Sequence, residues 1–578
     1  MKLSKRSSLL VATGIAGAMA LTACGGGSDS GGSSSSDKSS SAGTGRVVFG
    51  ESTDFPENLY PNIAAGNATS VANILIRVLP SAFNVKPDFS VEWDKNLLAE
   101  EPTLDDSGGT QVNTYTLNPD AVWSDGTPIT AADFEFTWRA NRSGDPADGG
   151  CASNLSTTGY ENIASVEAGA DDKTVTVTYE TPYADWKALF GNLLPAHLMD
   201  KDDPVAVCDE LTAGWAIGDG IVGDISGGPW QVTKENIDAG SQIVVLTPNP
   251  KWWGDKPKLA QLVIQNIGND PTTAVQGIQS GELGVIYPQP QLDLVDQIKN
   301  LEPNVNNDVN FGLSFEHLDF NTTDPFLSDP KVRQAFGMAL DRQKIVDQTV
   351  GQFSSDASVL NNRIFLSNQP QYQDTAPDKY KKRDVAGAKA LLESDGFTLG
   401  PDGIYTKGGK PLTFQINTTA NNPLRQTTIE VMIPQLKEAG IGATFNANPD
   451  IFAGADKPTS LEAGGFQIAL FAWVGSPFVS SSASIYAQPT GDSIQQNYSR
   501  VGTPEIDQLF TELSAEPDSD KQATLGNKID ALLWEQLATI PLYQKPDFLA
   551  WQATINGVED NASSAGPLWN SEEWSVKQ

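Results

Sequence analysis

The chain has 578 residues and a formal net charge of −34 at pH 7, and 39% of its residues are hydrophobic. This length exceeds what one hydrophobic core usually organises, so we expect two or three domains or lobes. Such acidity excludes nucleic acid as an expected partner, because binding to its phosphates needs basic patches.

The first 23 residues are predicted to be a lipoprotein signal peptide. Three basic side chains precede a short apolar segment at 9–20, and Leu21-Thr22-Ala23-Cys24 resembles a bacterial lipobox. In that motif the thiol of Cys24 takes a diacylglycerol and becomes the new N-terminus. The apolar segment is too short for a transmembrane anchor. An ordinary secretory signal with a chance cysteine is the alternative.

Residues 24–45 are predicted to be a flexible tether, because they are almost entirely Gly, Ser, Ala, Asp and Thr. We therefore expect a globular body anchored by lipid to the outer face of the bacterial cell membrane. In that oxidising compartment the simplest interpretation of Cys151 and Cys208 is a disulfide bond. Two unpaired thiols are the alternative.

Apolar patterning in the first half of the body predicts alternating strands and helices. Thr130 is expected to N-cap a helix that has Asp133 at its third position, and Gly281 to stop another helix. The other predictions are strands at 46–50, 243–246, 262–266 and 283–287, a strand beginning near 230, a hairpin at 166–179, and helices at 71–79 and 274–280.

The second half continues this mixed order. Its predicted helices span 332–341, 386–393 and 427–439, and a strand is predicted at 412–417. The nearly unbroken apolar run at 466–473 predicts a buried strand. The pattern favours α/β lobes with mixed sheets rather than a barrel or a repeat array.

Several segments in one order resemble the family 5 extracellular solute-binding proteins of the actinobacterial type, which deliver peptides and similar ligands to ABC importers. Each segment is weak evidence alone, but the ordered set is specific. The segments are YTLNPDAVWSDGTPITAADFEF at 115–136, LPAH at 194–197, GGPW at 227–230, NPKWWGDKPK at 249–258, AVQGIQSGE at 274–282, LDFN at 318–321, DPKVRQAFGMALDR at 329–342, and YS with PEIDQL at 498–509.

The resemblance implies an α/β fold: a two-lobe, periplasmic-binding-protein-like clamp of the class II or cluster C type, with mixed sheets and an extra inserted domain. A clamp of this kind encloses its ligand between the lobes. The implied parts are lobe I at 46–82, 196–312 and 541–578, the inserted domain II at 83–195, and lobe II at 313–540. The implied hinge residues are Asp319, Asn321, Pro541 and Tyr543.

The resemblance also implies where a ligand binds. The implied ligand-binding residues are Trp473, Val474, Gly475 and Ser476 in lobe II and Gly66, Asn67 and Ala68 in the facing loop. The family's peptide binders hold a terminal amine with an acidic residue at or near the position of Ser476. Because a buried ammonium needs a charged or strongly dipolar partner, recognition of a free peptide amine would require another acidic residue here. Trp473 offers a flat face for stacking, and a place in the lobe core is its alternative.

Catalysis has little support in the sequence, so we expect a protein that is not an enzyme. The chain has two histidines. His197 is interpreted as a satisfied core residue, and His317 as lacking an acidic or cysteine partner at the spacing of metal ligands. With so few imidazoles we expect no metal site and no cofactor. A Ser-x-x-Lys match at 35–38 lies in the predicted tether, where no pocket can organise it.

The expected function is a lipid-anchored receptor, a monomer, that delivers a small molecule or oligopeptide to the permease subunits of an ABC importer. The alternative keeps the fold but changes the role. In it, a lipoprotein of this architecture regulates cell-envelope lipoglycan synthesis through a protein partner or a lipid.

Overall fold

The computed structural model describes residues 43–145, 150–151, 153–201, 203–213, 215–491 and 493–577. The predicted signal peptide and Cys24 lie outside the described residues. So does the predicted tether, except for residues 43–45 at its end.

The predicted strands are present in the predicted order. The structure adds others to them, among them the long strands β13 and β20. The strands are β1 Arg46–Glu51, β2 Phe83–Val85, β3 Val91–Trp93, β4 Thr103–Asp105, β5 Val112–Thr116, β6 Ile163–Ala168, β7 Thr174–Tyr179, β8 Trp230–Gln231, β9 Ile237–Asp238, β10 Ile243–Pro248, β11 Gln261–Asn266, β12 Val285–Ile286, β13 Val305–Phe320, β14 Thr398–Leu399, β15 Tyr405–Lys407, β16 Lys410–Pro411, β17 Thr413–Thr419, β18 Gly442–Asn448, β19 Ile468–Val474, β20 Thr539–Gln552, β21 Ile555–Asn556 and β22 Ser575–Val576.

The helices confirm the predicted positions within a few residues. Asp133 Oδ2 accepts a hydrogen bond from the Thr130 backbone N–H at 2.8 Å, and Gly281 ends its helix with a φ of 80°. The helices are α1 Thr69–Leu75, α2 Ala131–Asn141, α3 Ala196–Met199, α4 Pro204–Ala213, α5 Pro271–Ser280, α6 Leu292–Lys299, α7 Pro330–Ala339, α8 Arg342–Gln348, α9 Asp378–Lys381, α10 Val385–Ser394, α11 Pro423–Glu438, α12 Ala483–Tyr486, α13 Pro504–Ala515 and α14 Ser519–Gln536.

One mixed sheet runs through both halves of the molecule. Its strand order is β18-β17-β19-β13-β20-β12-β1-β11-β10-β8, and β9 pairs with β10. β1 is parallel to β11 and β12, whereas β13 is antiparallel to β19 and β20. β13 and β20 are the longest of these strands, with 16 and 14 residues, and they lie in the middle of the sheet, where its two halves meet.

Two large hydrophobic cores flank this crossing, which gives the two lobes of the clamp. The first core contains Phe49 and Trp230 and continues into segment 83–195. The second core contains Phe336 and Trp534 and lies within 318–543. Segment 83–195 also has its own antiparallel sheet, with the order β4-β5-β7-β6. The division into three domains at the stated boundaries remains a prediction.

The crossing strands are irregular where they pass between the two cores. The pairing of β13 with β20 shifts register between Phe311 and Phe315, and again between Glu316 and His317. The second shift falls opposite Tyr543 and Pro541, two of the predicted hinge residues. Extra residues in one strand locally disrupt the ladder and bend it. The hinge itself stays a prediction.

Cys151 and Cys208 are joined by a disulfide bond across 57 positions of sequence. Within the part of the chain that the structure describes, no helix combines the length and the apolar character needed to cross a membrane.

Candidate functional site

A cavity of about 450 Å³ lies between segment 83–195, the residues that follow β1, and the residues that follow β19. This volume is typical of small-molecule sites, which range from about 300 to 1,000 Å³. The lining residues are Tyr60, Pro61, Asn62, Phe83, Val85, Val91, Asn141, Ser156, Thr158, Tyr160, Tyr183, Lys187, Ala188, Leu189, Gly191, Asn192, Leu194, Ser476, Phe478, Ser481 and Ser564.

An amide network fixes the lobe I wall of the cavity. The Tyr60 hydroxyl donates to Asn141 Oδ1 at 3.2 Å, and Asn62 Nδ2 donates to the same oxygen at 2.6 Å. Asn141 in turn donates to the Thr137 carbonyl in α2 at 2.7 Å. Burial raises the pKa of Tyr60 well above its usual value, so this phenol is neutral at physiological pH. The wall therefore presents neutral polar groups in fixed positions.

Segment 83–195 and lobe II meet beside the cavity through a set of bonds that we call the lobe contact. Asp185 Oδ2 accepts from the Ser480 backbone N–H at 3.0 Å and from the Ser480 hydroxyl at 2.6 Å. The Tyr183 and Ser480 hydroxyl oxygens lie 2.9 Å apart, and the Ala184 N–H donates to the Ser514 carbonyl at 2.6 Å. Burial raises the pKa of the Asp185 carboxyl group, although the bonds from Ser480 oppose that shift. The lobes are thus held together across the edge of the cavity.

Of the predicted lobe II residues, Ser476 reaches the cavity wall. Its Oγ accepts from the Phe478 N–H at 3.3 Å. Val474 is exposed, with 43% of its surface accessible. The Gly475 N–H donates to the Leu313 carbonyl at 3.0 Å, so it ties this loop to the crossing strand β13.

Trp473 lies in an aromatic stack rather than in the cavity wall. Its ring is nearly parallel to those of Tyr498 and His317, at centroid distances of 5.9 and 5.8 Å. Its Nε1 is buried without a hydrogen-bond partner. The Nε2 of His317 lies 3.2 Å from Asp319 Oδ1, but neither atom makes a hydrogen bond in the described structure. A ligand-binding role for Trp473 stays a prediction.

We expect Trp473→Phe to change the free energy of unfolding by less than about 1 kcal/mol, because no hydrogen bond of Nε1 is lost and the stack is kept. Urea unfolding of the two proteins checks this. A loss above about 1 kcal/mol would contradict this prediction.

The predicted facing loop contacts a residue of the cavity wall but does not itself line the cavity. Gly66, Asn67 and Ala68 are absent from the described lining, but Gly66 packs directly against Tyr60, which is part of it. A Cβ added at Gly66 would lie 1.8 Å from the Tyr60 carbonyl oxygen. Gly66 is therefore required by the close approach of two backbone segments.

Gly66→Ala is expected to displace Tyr60 and to lower the free energy of unfolding by about 1–3 kcal/mol, the usual cost of overpacking. Gly191→Ala is the matched control. Gly191 lines the cavity itself, but a Cβ added there meets only Ser81 Oγ, at 3.8 Å. Thermal unfolding of both variants checks the prediction, which would be wrong if the two substitutions had the same effect.

Sequence analysis missed the part of the cavity that lies in segment 83–195. Tyr183, Asp185 and Lys187 belong to an irregular stretch after β7, where no periodic pattern marks a side chain as buried or exposed. The polar residues at 60–62, between a strand and a helix, were the available signal for the opposite wall.

The imidazoles and carboxylates form no metal centre among the described residues, where no group of three or more His, Cys, Asp and Glu side chains has a suitable arrangement. The interpretation of His197 as a core residue is wrong, because a quarter of its side chain is accessible. Its Nε2 lies 2.9 Å from Asp125 Oδ2.

Comparison with known proteins gives a family match and a similar protein that covers most of the chain. Residues 95–494 match the family described as bacterial extracellular solute-binding proteins, family 5 Middle. The chain is 31% identical to the oligopeptide-binding protein OppA of Mycobacterium tuberculosis over 525 residues, which cover 87% of this chain and 80% of OppA.

Two more similar proteins have names that state what they bind. One is the probable monoacyl phosphatidylinositol tetramannoside-binding protein LpqW of Mycobacterium tuberculosis, which is 27% identical over 430 residues, or 67% of this chain and 62% of LpqW. The other is the solved structure of the periplasmic EDTA-binding protein EppA, with a TM-score of 0.81 and 27% identity. That match covers 93% of this chain and 97% of EppA.

Proposed function

The chain belongs to the bacterial extracellular solute-binding proteins of family 5, and from this premise we propose that it captures a peptide-like or other small solute between its lobes and delivers it to an ABC importer. The observation that carries this proposal is the cavity of about 450 Å³ between segment 83–195 and both lobes. Its walls combine aromatic rings with amide and hydroxyl groups, a composition that suits peptides. The similarity to OppA supports the same class of ligand.

Capture is coupled to closure in this proposal. The lobe contact forms only when the two lobes approach each other, so a ligand that adds contacts across the cavity favours the closed state. The proposed hinge comprises Asp319, Asn321, Pro541 and Tyr543, near the irregular pairing of β13 with β20. No chemical step is required, and we propose that the protein is not an enzyme.

The proposed location is the outer face of the cell membrane, through a diacylglycerol on Cys24. A tether raises the local concentration of the receptor at a membrane partner, so that weak docking to permease subunits is sufficient. Mass spectrometry of the mature N-terminal peptide tests the anchor. A diacylglyceryl group on Cys24 is expected, and an unmodified Cys24 in that peptide would contradict it.

A second candidate is regulation of cell-envelope lipoglycan synthesis by a monomeric lipoprotein of the same fold, which the similarity to LpqW favours. The two functions differ in what the cavity holds. Native mass spectrometry of the purified body identifies co-purified molecules, and thermal unfolding in the presence of short peptides measures stabilisation, since ligands that bind the native state raise the melting temperature. The absence of any shift with peptides of every length tested would overturn the peptide receptor.

A further inference from the structure

The charge of the cavity wall is distinctive in a protein as acidic as this one. Among the described residues that line the cavity, Lys187 is the one basic residue, and no Asp or Glu accompanies it. Burial raises the pKa of Tyr60, Tyr160 and Tyr183 well above the usual value, so these phenols stay neutral. A solute in the cavity therefore meets one positive charge.

The Lys187 ammonium group has weak partners in the described structure. Its Nζ lies 5.8 Å from the centre of the Phe83 ring and 5.6 Å from that of Trp186. The nearest recorded carboxylate oxygen belongs to Glu101, at 3.9 Å, and the Glu101 side chain is 65% exposed. Exposed pairs of this kind contribute little, because water screens them.

The neighbouring carboxylate of Asp185 is hydrogen-bonded to Ser480. It accepts both recorded hydrogen bonds from Ser480 in the lobe contact. The two aromatic rings restrict the Lys187 side chain while leaving the three N–H donors of its ammonium group available. A preplaced cation with spare donors, beside a cavity of ligand size, is an arrangement that favours a bound anion.

We propose that Lys187 binds an anionic group of the solute, a peptide carboxylate in the receptor proposed above, on which this inference rests. The same chemistry also fits the phosphodiester of a phosphatidylinositol headgroup. Since no carboxylate lines the cavity among the described residues, a free amino terminus gains no charged partner there. The solute is therefore selected by its negative end, and blocking its amine does not weaken binding.

The test uses short random-sequence peptides prepared with free termini, with an acetylated N-terminus, or with an amidated C-terminus. Glycerophosphoinositol is the phosphodiester probe. Each pool is offered to the wild-type protein and to Lys187→Met, Lys187→Arg and Lys410→Met, and retained molecules are quantified by mass spectrometry. Methionine keeps the length of the lysine stem, and Lys410 is an exposed lysine of β16 in lobe II.

We expect the wild type to retain peptide acids about tenfold better than the amides, and acetylated acids as well as free ones. Lys187→Met should abolish the preference for acids, whereas Lys187→Arg and Lys410→Met should keep it. Equal retention of acids and amides by the wild type would overturn the anion site and leave the solute-binding function intact.

The remaining outcomes separate the two proposals. Retention of glycerophosphoinositol without any peptide, lost in Lys187→Met, would overturn the peptide receptor and support the anion site. Retention of no probe at all would overturn the peptide receptor and the inference with it. A melting temperature of Lys187→Met equal to that of the wild type shows that the variant is folded.

Discussion

Replacing Arg363 by methionine is expected to lower the free energy of unfolding by about 3–5 kcal/mol, the cost of breaking a buried ion pair by removing one partner. Arg363 and Asp530 are both fully buried, and Nη1 lies 3.0 Å from Asp530 Oδ1. The guanidinium group also donates to the Thr539 hydroxyl and carbonyl, each at 2.7 Å. Because Thr539 begins β20, this network fixes one end of a crossing strand.

The size of the effect depends on the charge that is left behind. In Arg363→Met the Asp530 carboxylate stays in the second core without its cation, whereas Arg363→Met combined with Asp530→Leu removes both charges and should recover part of the loss. Lys528→Met is the control for an exposed ion pair. The Lys528 and Glu505 side chains are 56% and 59% exposed, so we expect a loss below about 1 kcal/mol.

Urea unfolding followed by tryptophan fluorescence measures all of these variants. Trp534, whose ring centre lies 4.3 Å from the Arg363 guanidinium carbon, is one of the 13 tryptophans that contribute to this signal. Equal losses for Arg363→Met and Lys528→Met would contradict the prediction, since they would show that burial does not decide the cost.

The elements that sequence patterns predicted well are those whose burial is local and regular. The apolar run at 466–473 forms most of β19. The cap formed by Thr130 and Asp133 begins α2 as expected. In these places periodicity and capping chemistry act within a few residues, so the chain needs no distant information. The observed ends of the helices and strands differ from the predicted ends by a few residues, because packing rather than propensity determines where an element ends.

The cavity could be predicted only in part, because residues distant in sequence form it. Ser476, which the family resemblance implies as a ligand-binding residue, lies in the cavity wall, but Tyr183 and Lys187 occupy a stretch whose sequence shows no periodic pattern. A ligand-binding role for Gly66 stays a prediction, and the structure shows why a glycine is needed there: the Tyr60 carbonyl leaves no room for a Cβ. Steric reasons of this kind become visible only when two segments are placed side by side.

Asp185→Ala is expected to weaken ligand binding by about 100-fold, through loss of the lobe contact rather than of a contact with the ligand. The carboxylate accepts two hydrogen bonds from Ser480, at 3.0 and 2.6 Å, and hydrogen bonds to a charged group are worth about 1.5–3 kcal/mol each. Burial raises the pKa of Asp185, so desolvation offsets part of this gain. A net loss of about 2.7 kcal/mol in the closed state corresponds to the stated factor.

Two variants separate closure from general damage to the fold. Ser480→Ala keeps its backbone bond to Asp185 but loses the hydroxyl, so we expect a smaller effect, about tenfold. Asp172→Ala changes an exposed aspartate at the tip of the β6–β7 hairpin and should leave affinity unchanged. Isothermal titration with a peptide retained by the wild type measures the three affinities.

Small-angle scattering tests the same mechanism without a ligand. If the lobe contact holds the closed state, Asp185→Ala should increase the radius of gyration of the unliganded protein, while its melting temperature stays close to that of the wild type. Weaker binding without a larger radius would mean that Asp185 acts on the ligand itself. An unchanged affinity would show that closure depends on contacts elsewhere between the lobes, with the ligand rather than Ser480 as the main bridge.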